Sequence, residues 1–77
     1  MCEETSQYID AKGLNCPMPL MLLKKALQDL PVGAVVDIDV TDEHAELDFE
    51  TWCERFGHHL LRLGLESGVW RFQIIKA

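Results

Sequence analysis

One cysteine stands out by its neighbours. Cys16 lies in Gly13-Leu14-Asn15-Cys16-Pro17-Met18-Pro19, after a flexible glycine and ahead of two prolines spaced two apart. The run LMLLKKALQDL follows at once and reads as a helix, so the stretch is not a proline linker. The spacing predicts Cys16 at the N-cap, Pro17 at N1 and Pro19 at N3, since proline lacks an N–H that the first turn would leave unpaired anyway. The sulfur would then sit near the free donors and positive end of the helix, which favour thiolate over thiol. The expected pKa shift of Cys16 is therefore downward. Of the first-turn donors, only the N–H groups of Cys16 and Met18 remain, and that of Met18 is the expected partner of an anionic sulfur. Gly13 supplies the backbone freedom where a strand turns into the helix.

Such a cysteine is a nucleophile without an evident base. His44, His58 and His59 are distant in sequence, and a triad would need one of them beside the thiol. Dithiol redox chemistry would want a second cysteine at position 19, which is proline. A chain of 77 residues is short for a scaffold plus a deep hydrolytic pocket. What remains is a single exposed thiolate that carries a covalent adduct. An inert, buried cysteine fits the same residues, and chemistry alone leaves both readings open.

The other candidates weigh less. Cys53 shares an apolar side with Phe49, Trp52 and Phe56 and reads as a small buried hydrophobe; Cys2, in a frayed terminus, reads as incidental. No C-x-x-C or H-x-x-x-H spacing supports zinc, and no metal is expected. Lys24 and Lys25 form either a solvated helix face or a positive rim that guides acidic surfaces of partner proteins toward the sulfur. Leu14, Met18 and Met21 would make a small apolar contact surface around it.

The elements that position Cys16 follow from periodicity. QYIDA at 7–11 is a short strand and KGLN a turn. Leu20, Leu23, Leu27 and Leu30 recur at helical spacing until Leu-Pro-Val-Gly ends the helix. AVVDIDVT at 34–41 alternates as a strand with one wet face. Asp48 is the expected cap of a second helix carrying Phe49, Trp52, Cys53 and Phe56, with Gly57 as its C-cap. The tail reads as two strands joined by a Glu-Ser-Gly turn, Leu61, Leu63 and Leu65 alternating in the first and Trp70, Phe72 and Ile74 in the second. The order is β-α-β-α-β-β: an α/β fold, a two-layer sandwich with both helices on one face of a four-stranded mixed sheet. Asp37, Asp39, Arg62 and Arg71 are expected on the other, polar face. Residues 1–77 make a single domain, with 1–6 expected to be disordered.

Composition narrows the function. Seven Lys+Arg against thirteen Asp+Glu give a net charge of −6, which argues against direct nucleic-acid binding through phosphates. No run approaches a membrane span, and MCEETSQ has neither basic start nor apolar run, so no signal peptide is expected. A reducing cytoplasm, with the cysteines as thiols, is the expected setting.

A resemblance adds what spacing does not. D-A-x-G-L-x-C-P-x-P running into K-K-A-L resembles the TusA/SirA-like sulfur-carrier family, and the likeness continues through Thr41-Asp42, Trp52-Cys53, Gly57-His58 and F-x-I-x-K from Phe72 to Lys76. It implies that Cys16 accepts sulfane sulfur from a cysteine desulfurase or other donor, holds it as a persulfide, and passes it to an acceptor protein. It implies destinations in tRNA 2-thiolation, molybdenum-cofactor maturation or sulfur metabolism, with no cofactor and a monomeric chain. Asp10 matches the family's aspartate at the motif start, as a loop-ordering or partner-facing group. Met18 departs from the glutamate that tRNA-directed members often carry, which affects partner choice. A non-catalytic interaction or regulatory module that kept the fold is the competing expectation.

Overall fold

The structure is a computed structural model that describes residues 6–77. The expectation of disorder over 1–5, and with it Cys2, lies outside the described residues, whereas Ser6 opens the first strand. The elements run β1 (Ser6–Ala11), α1 (Met18–Gln28), β2 (Val35–Val40), α2 (Ala45–Phe56), β3 (His59–Glu66) and β4 (Val69–Ile75). The sheet order is β1-β2-β4-β3, with β1 parallel to β2 and the other pairs antiparallel. The four-stranded mixed sheet and its two helices are those that periodicity implies.

The core lies between sheet and helices. Val36, Ile38 and Val40 of β2 and Phe72 and Ile74 of β4 turn one face inward, against Leu23 and Leu27 of α1 and Phe49 and Cys53 of α2. Phe49 meets Phe72 edge to face, centroids 5.4 Å apart, which ties α2 to the centre of the sheet. Leu20 flanks the stripe of Leu23 and Leu27 on α1, and Leu30, two residues past the helix end at Gln28, also packs partly buried against the core. Lys76 closes that helix by donating from Nζ to the carbonyls of Leu27 and Leu30, both at 2.6 Å. At the β3–β4 turn, Ser67 and Gly68 both have positive φ (52° and 81°), the backbone that a two-residue hairpin with right-handed twist requires.

Two expectations about the sheet are corrected. Arg62 pairs with Phe72, so it points to the helix layer, where it donates to Glu46 and, at 2.7 Å, to Glu50 of α2. Leu61, Leu63 and Leu65 do not share an inward face. The register shifts between Arg62 and Gly64, leaving Leu63 as an extra residue, so Leu61 lies opposite Gln73 on the open face and Leu65 opposite Trp70 on the helix side. Leu60 is the β3 leucine packed against the core.

The open face is not simply wet. Asp39 is only 3% exposed. Arg71 grips its carboxylate with two bonds of 2.6 and 2.7 Å, and the Tyr8 hydroxyl donates at 2.7 Å. The Arg71 bonds come first, and the Tyr8 bond adds to them, in lowering the Asp39 pKa from 3.8 to about 2 against the opposing effect of burial. A lowered folded-state pKa means the carboxylate's stabilisation is full above the unfolded value and is lost as pH falls toward about 2. Replacing Asp39 by Asn is expected to cost about 2 kcal/mol at neutral pH. Urea midpoints of the two proteins should converge as pH falls from about 4 to about 2. A gap of constant size across that window would show that the pair contributes nothing through ionisation.

Candidate functional site

Parallel pairing brings the site together. Ala11 ends β1 beside Val40, which ends β2, so the loops leaving these strands run next to each other. Gly13, at φ +83°, turns the first loop and donates its N–H to Thr41 Oγ1 at 2.9 Å. The N–H of Cys16 goes to Asp42 Oδ2 at 2.6 Å, while the other oxygen of Asp42 takes the His44 N–H at 3.0 Å. One carboxylate thus holds both loops. Its pKa is lowered, first by the His44 backbone bond and then by that of Cys16.

The start of α1 differs from the sequence expectation by one residue. Pro17 is the N-cap, with Met18 at N1 and Pro19 at N2, so Cys16 stands one position ahead of the cap. The donors expected to face the sulfur are used elsewhere: Cys16 N–H by Asp42, and Met18 N–H by the Asn15 carbonyl at 2.8 Å. The Pro19 ring is fully buried and anchors the first turn in the core.

The second helix also starts earlier than the sequence suggests. It begins at Ala45, with His44 as N-cap, and the Asp42 carbonyl and carboxylate serve its first donors. Asp48 is therefore not a cap. It sits a turn inside α2 and accepts from Cys16 Sγ at 2.8 Å. The thiol pKa is raised rather than lowered: the Asp48 hydrogen bond comes first, then desolvation, then the charges of Asp48 and Asp42. A formal negative charge in contact outweighs the partial charge of a nearby helix end.

The remaining candidates fall around this corner. Met18 and Met21 are exposed, 43% and 53%, while Leu14 is half-buried against the core. Lys24 and Lys25 are exposed on α1. Lys24 lines a shallow groove of about 440 Å³ between the helices, with Leu20, Leu47, Asp48, Trp52 and Phe56. Asp10 stands apart from the thiol and orders its own turn, accepting from the Lys12 N–H at 3.1 Å with Lys12 Nζ at 3.3 Å. His44 meets Asp42, Nδ1 to Oδ1 3.4 Å, and no bond joins it to Sγ. His58 packs its ring on Trp52 and accepts from the Ala77 N–H. A broad concavity of about 870 Å³ lies on the open face by Lys12, Asp39 and Arg71, but Cys16 does not line it, and Asp39 is already bound by Arg71 and approached by Lys12. Among the described residues no group of three His, Cys, Asp or Glu side chains is arranged to hold a metal.

The family model described as sulfurtransferase TusA matches residues 7–76. This chain belongs to the TusA family. The sulfur carrier protein TusA of Allochromatium vinosum is 35% identical over 71 residues, covering 92% of this chain and 93% of that protein. YrkI of Bacillus subtilis, itself described only provisionally as a sulfur carrier, is 37% identical over 73 residues, 95% and 97% of the two chains. The crystal structure of a SirA-like protein from Desulfitobacterium hafniense superimposes with a TM-score of 0.82 at 31% identity, covering 90% of this chain and 95% of that one.

The second cysteine of the described residues behaves differently. Cys53 is 1% exposed, and burial pushes its thiol up to about 11. Native alkylation with iodoacetamide, read by peptide mapping, is expected to modify Cys16 at least roughly a hundredfold faster than Cys53. The difference should vanish in denaturant. Comparable native labelling of Cys53 would contradict the packing of α2.

Proposed function

We propose that this sulfur carrier holds sulfane sulfur as a persulfide on Cys16. It takes the sulfur from a cysteine desulfurase or another persulfide donor and passes it to an acceptor protein, so that it acts as a sulfurtransferase. The observation that carries the reading is the exposed Sγ of Cys16 on a corner fixed by Asp42, in a chain whose relatives are named sulfur carriers.

The chemistry asks little of the scaffold. Cys16 Sγ attacks the terminal sulfur of the donor R–S–SH, the donor's S–S bond breaks, and the donor sulfur leaves as a thiolate that takes up the proton given up by Cys16. The products are Cys16–S–SH and R–SH, with no net oxidation and no cofactor. Delivery repeats the exchange, the acceptor's thiolate attacking the outer sulfur and Cys16 leaving. Both steps need an accessible thiol and a partner that docks beside it. Met18 and Met21 supply an apolar, deformable contact there, and Lys24 and Lys25 a positive rim.

The setting we infer is a reducing cytoplasm and a monomeric carrier. No helix among the described residues is long and apolar enough to cross a membrane. The destinations consistent with the family are tRNA 2-thiolation, molybdenum-cofactor maturation and sulfur metabolism. Met18, in place of glutamate, removes a negative charge from the docking surface and favours partners other than those of the tRNA-directed members.

Incubation with a cysteine desulfurase and cysteine should add one sulfur atom, about 32 Da by intact mass, that dithiothreitol removes. The Cys16→Ser variant should gain nothing. Equal loading of that variant would overturn the assignment to Cys16. Failure of the wild-type protein to load from either a desulfurase or a small persulfide would favour an interaction module that kept the fold.

A further inference from the structure

We propose that Asp48 is a carboxylate lock on Cys16, holding the thiol as a hydrogen-bond donor in the free protein and withholding the nucleophile until a bound partner displaces the carboxylate. The lock rests on the persulfide-carrier reading for its purpose, but its chemistry is a property of the thiol itself.

The geometry is specific. Asp48 and Cys16 are 32 residues apart, on α2 and on the loop before α1, and Sγ lies 2.8 Å from Asp48 Oδ2. A carboxylate ionised at neutral pH can only accept, so this contact requires the sulfur to keep its proton. Thiolate formation would break the bond and bring two negative charges together. Other charged groups do not undo this. Asp42, from the loop before α2, adds a second negative charge, and its oxygens are held by the Cys16 and His44 N–H groups. The ring of His44 pairs with Asp42, away from the sulfur. Lys12, on the β1–α1 loop, is turned toward Asp10 and Asp39. Lys24 of α1 and Arg55 of α2 share the groove with Asp48 and form no ion pair with it.

That groove gives the lock its release. Asp48 forms part of its wall beside Leu20, Lys24, Leu47 and Trp52, so a partner segment seated between the helices contacts the carboxylate that holds the thiol. A partner cation placed there, or a rotation of Asp48 toward Lys24, frees the sulfur at the moment of docking. In the unbound carrier the same bond limits attack by stray oxidants and electrophiles, which react with the thiolate.

Iodoacetamide alkylation of Cys16, followed by peptide mapping across about pH 6 to 10, tests the lock in the full chain. Asp48→Asn is expected to alkylate roughly threefold or more faster at neutral pH, with the midpoint of its profile displaced to lower pH. Asp48→Glu should stay close to wild type. Asp48→Ala, which favours helix, carries the same expectation should Asn perturb α2. Rates and midpoints indistinguishable from wild type would overturn the proposal, and so would a faster rate with an unmoved midpoint, which signals only a loosened loop. Sulfur loading is a separate measurement: a wild-type protein that takes no sulfur yet shows the shifted profile in Asp48→Asn retains the lock and loses the persulfide role.

Discussion

Everything at the thiol depends on the parallel pairing of β1 with β2. Parallel neighbours end on the same side of the sheet, so the chain leaving Ala11 and the chain leaving Val40 must pass each other. Both loops carry backbone N–H groups that no strand or helix ladder satisfies. Thr41 and Asp42 accept them, at 2.9 Å from Gly13 and 2.6 Å from Cys16. These bonds tie the two loops to each other; at exposed positions each contributes about 0.5–1.5 kcal/mol net, and the one to the Asp42 carboxylate lies toward the upper end. An antiparallel β1 would have sent the cysteine loop to the other end of the sheet, away from Asp42 and from α2.

Two electrostatic influences compete for Cys16, and their magnitudes decide the outcome. A helix N-terminus contributes the equivalent of about half a positive charge, and the effect fades within a turn. Cys16 stands ahead of the cap, and the N–H groups nearest to it are already committed. Against this, Asp48 brings a full negative charge into direct hydrogen-bond contact and Asp42 a second one close by. The carboxylates prevail. A cysteine at the head of a helix is therefore not sufficient warrant for a thiolate; the acceptors that fold against it must be counted first.

The parts of this arrangement legible in the sequence were those written in local periodicity. Leucine spacing marked α1, alternation marked β2 and β4, and the prolines placed the cysteine near a helix start. The errors arose where distant residues decide. Asp48 has the look of a cap because it precedes Phe49, yet Asp42 had already served the first donors of α2, three residues ahead of its first turn. Only the fold brings Asp48 across to a thiol 32 residues earlier. Strict alternation in β3 failed at one inserted residue, Leu63, which no propensity marks and which exchanges the faces of the leucines beyond it. Asp39 looked solvated by its position in the alternation; Tyr8 and Arg71, from two other strands, cover it.

The charge distribution completes the argument about partners. A chain of net charge −6 should repel acidic proteins on average. Its cations, however, are not evenly used. Arg62 and Arg71 are bound to carboxylates, Lys12 lies against Asp10, and Lys76 is spent on the carbonyls that end α1. Among the described residues, Lys24, Lys25 and Arg55 form no ion pair, and all three border the apolar surface of Trp52 and Phe56 on the helix layer. The free positive charge of an acidic molecule is thus gathered on the layer that carries the sulfur. Because exposed charges are screened beyond about 8–10 Å at physiological ionic strength, this local patch and not the net charge governs the last approach of a partner. An acidic, partly apolar docking element would therefore be drawn to the helix layer, beside the groove that Lys24, Arg55, Trp52 and Phe56 line.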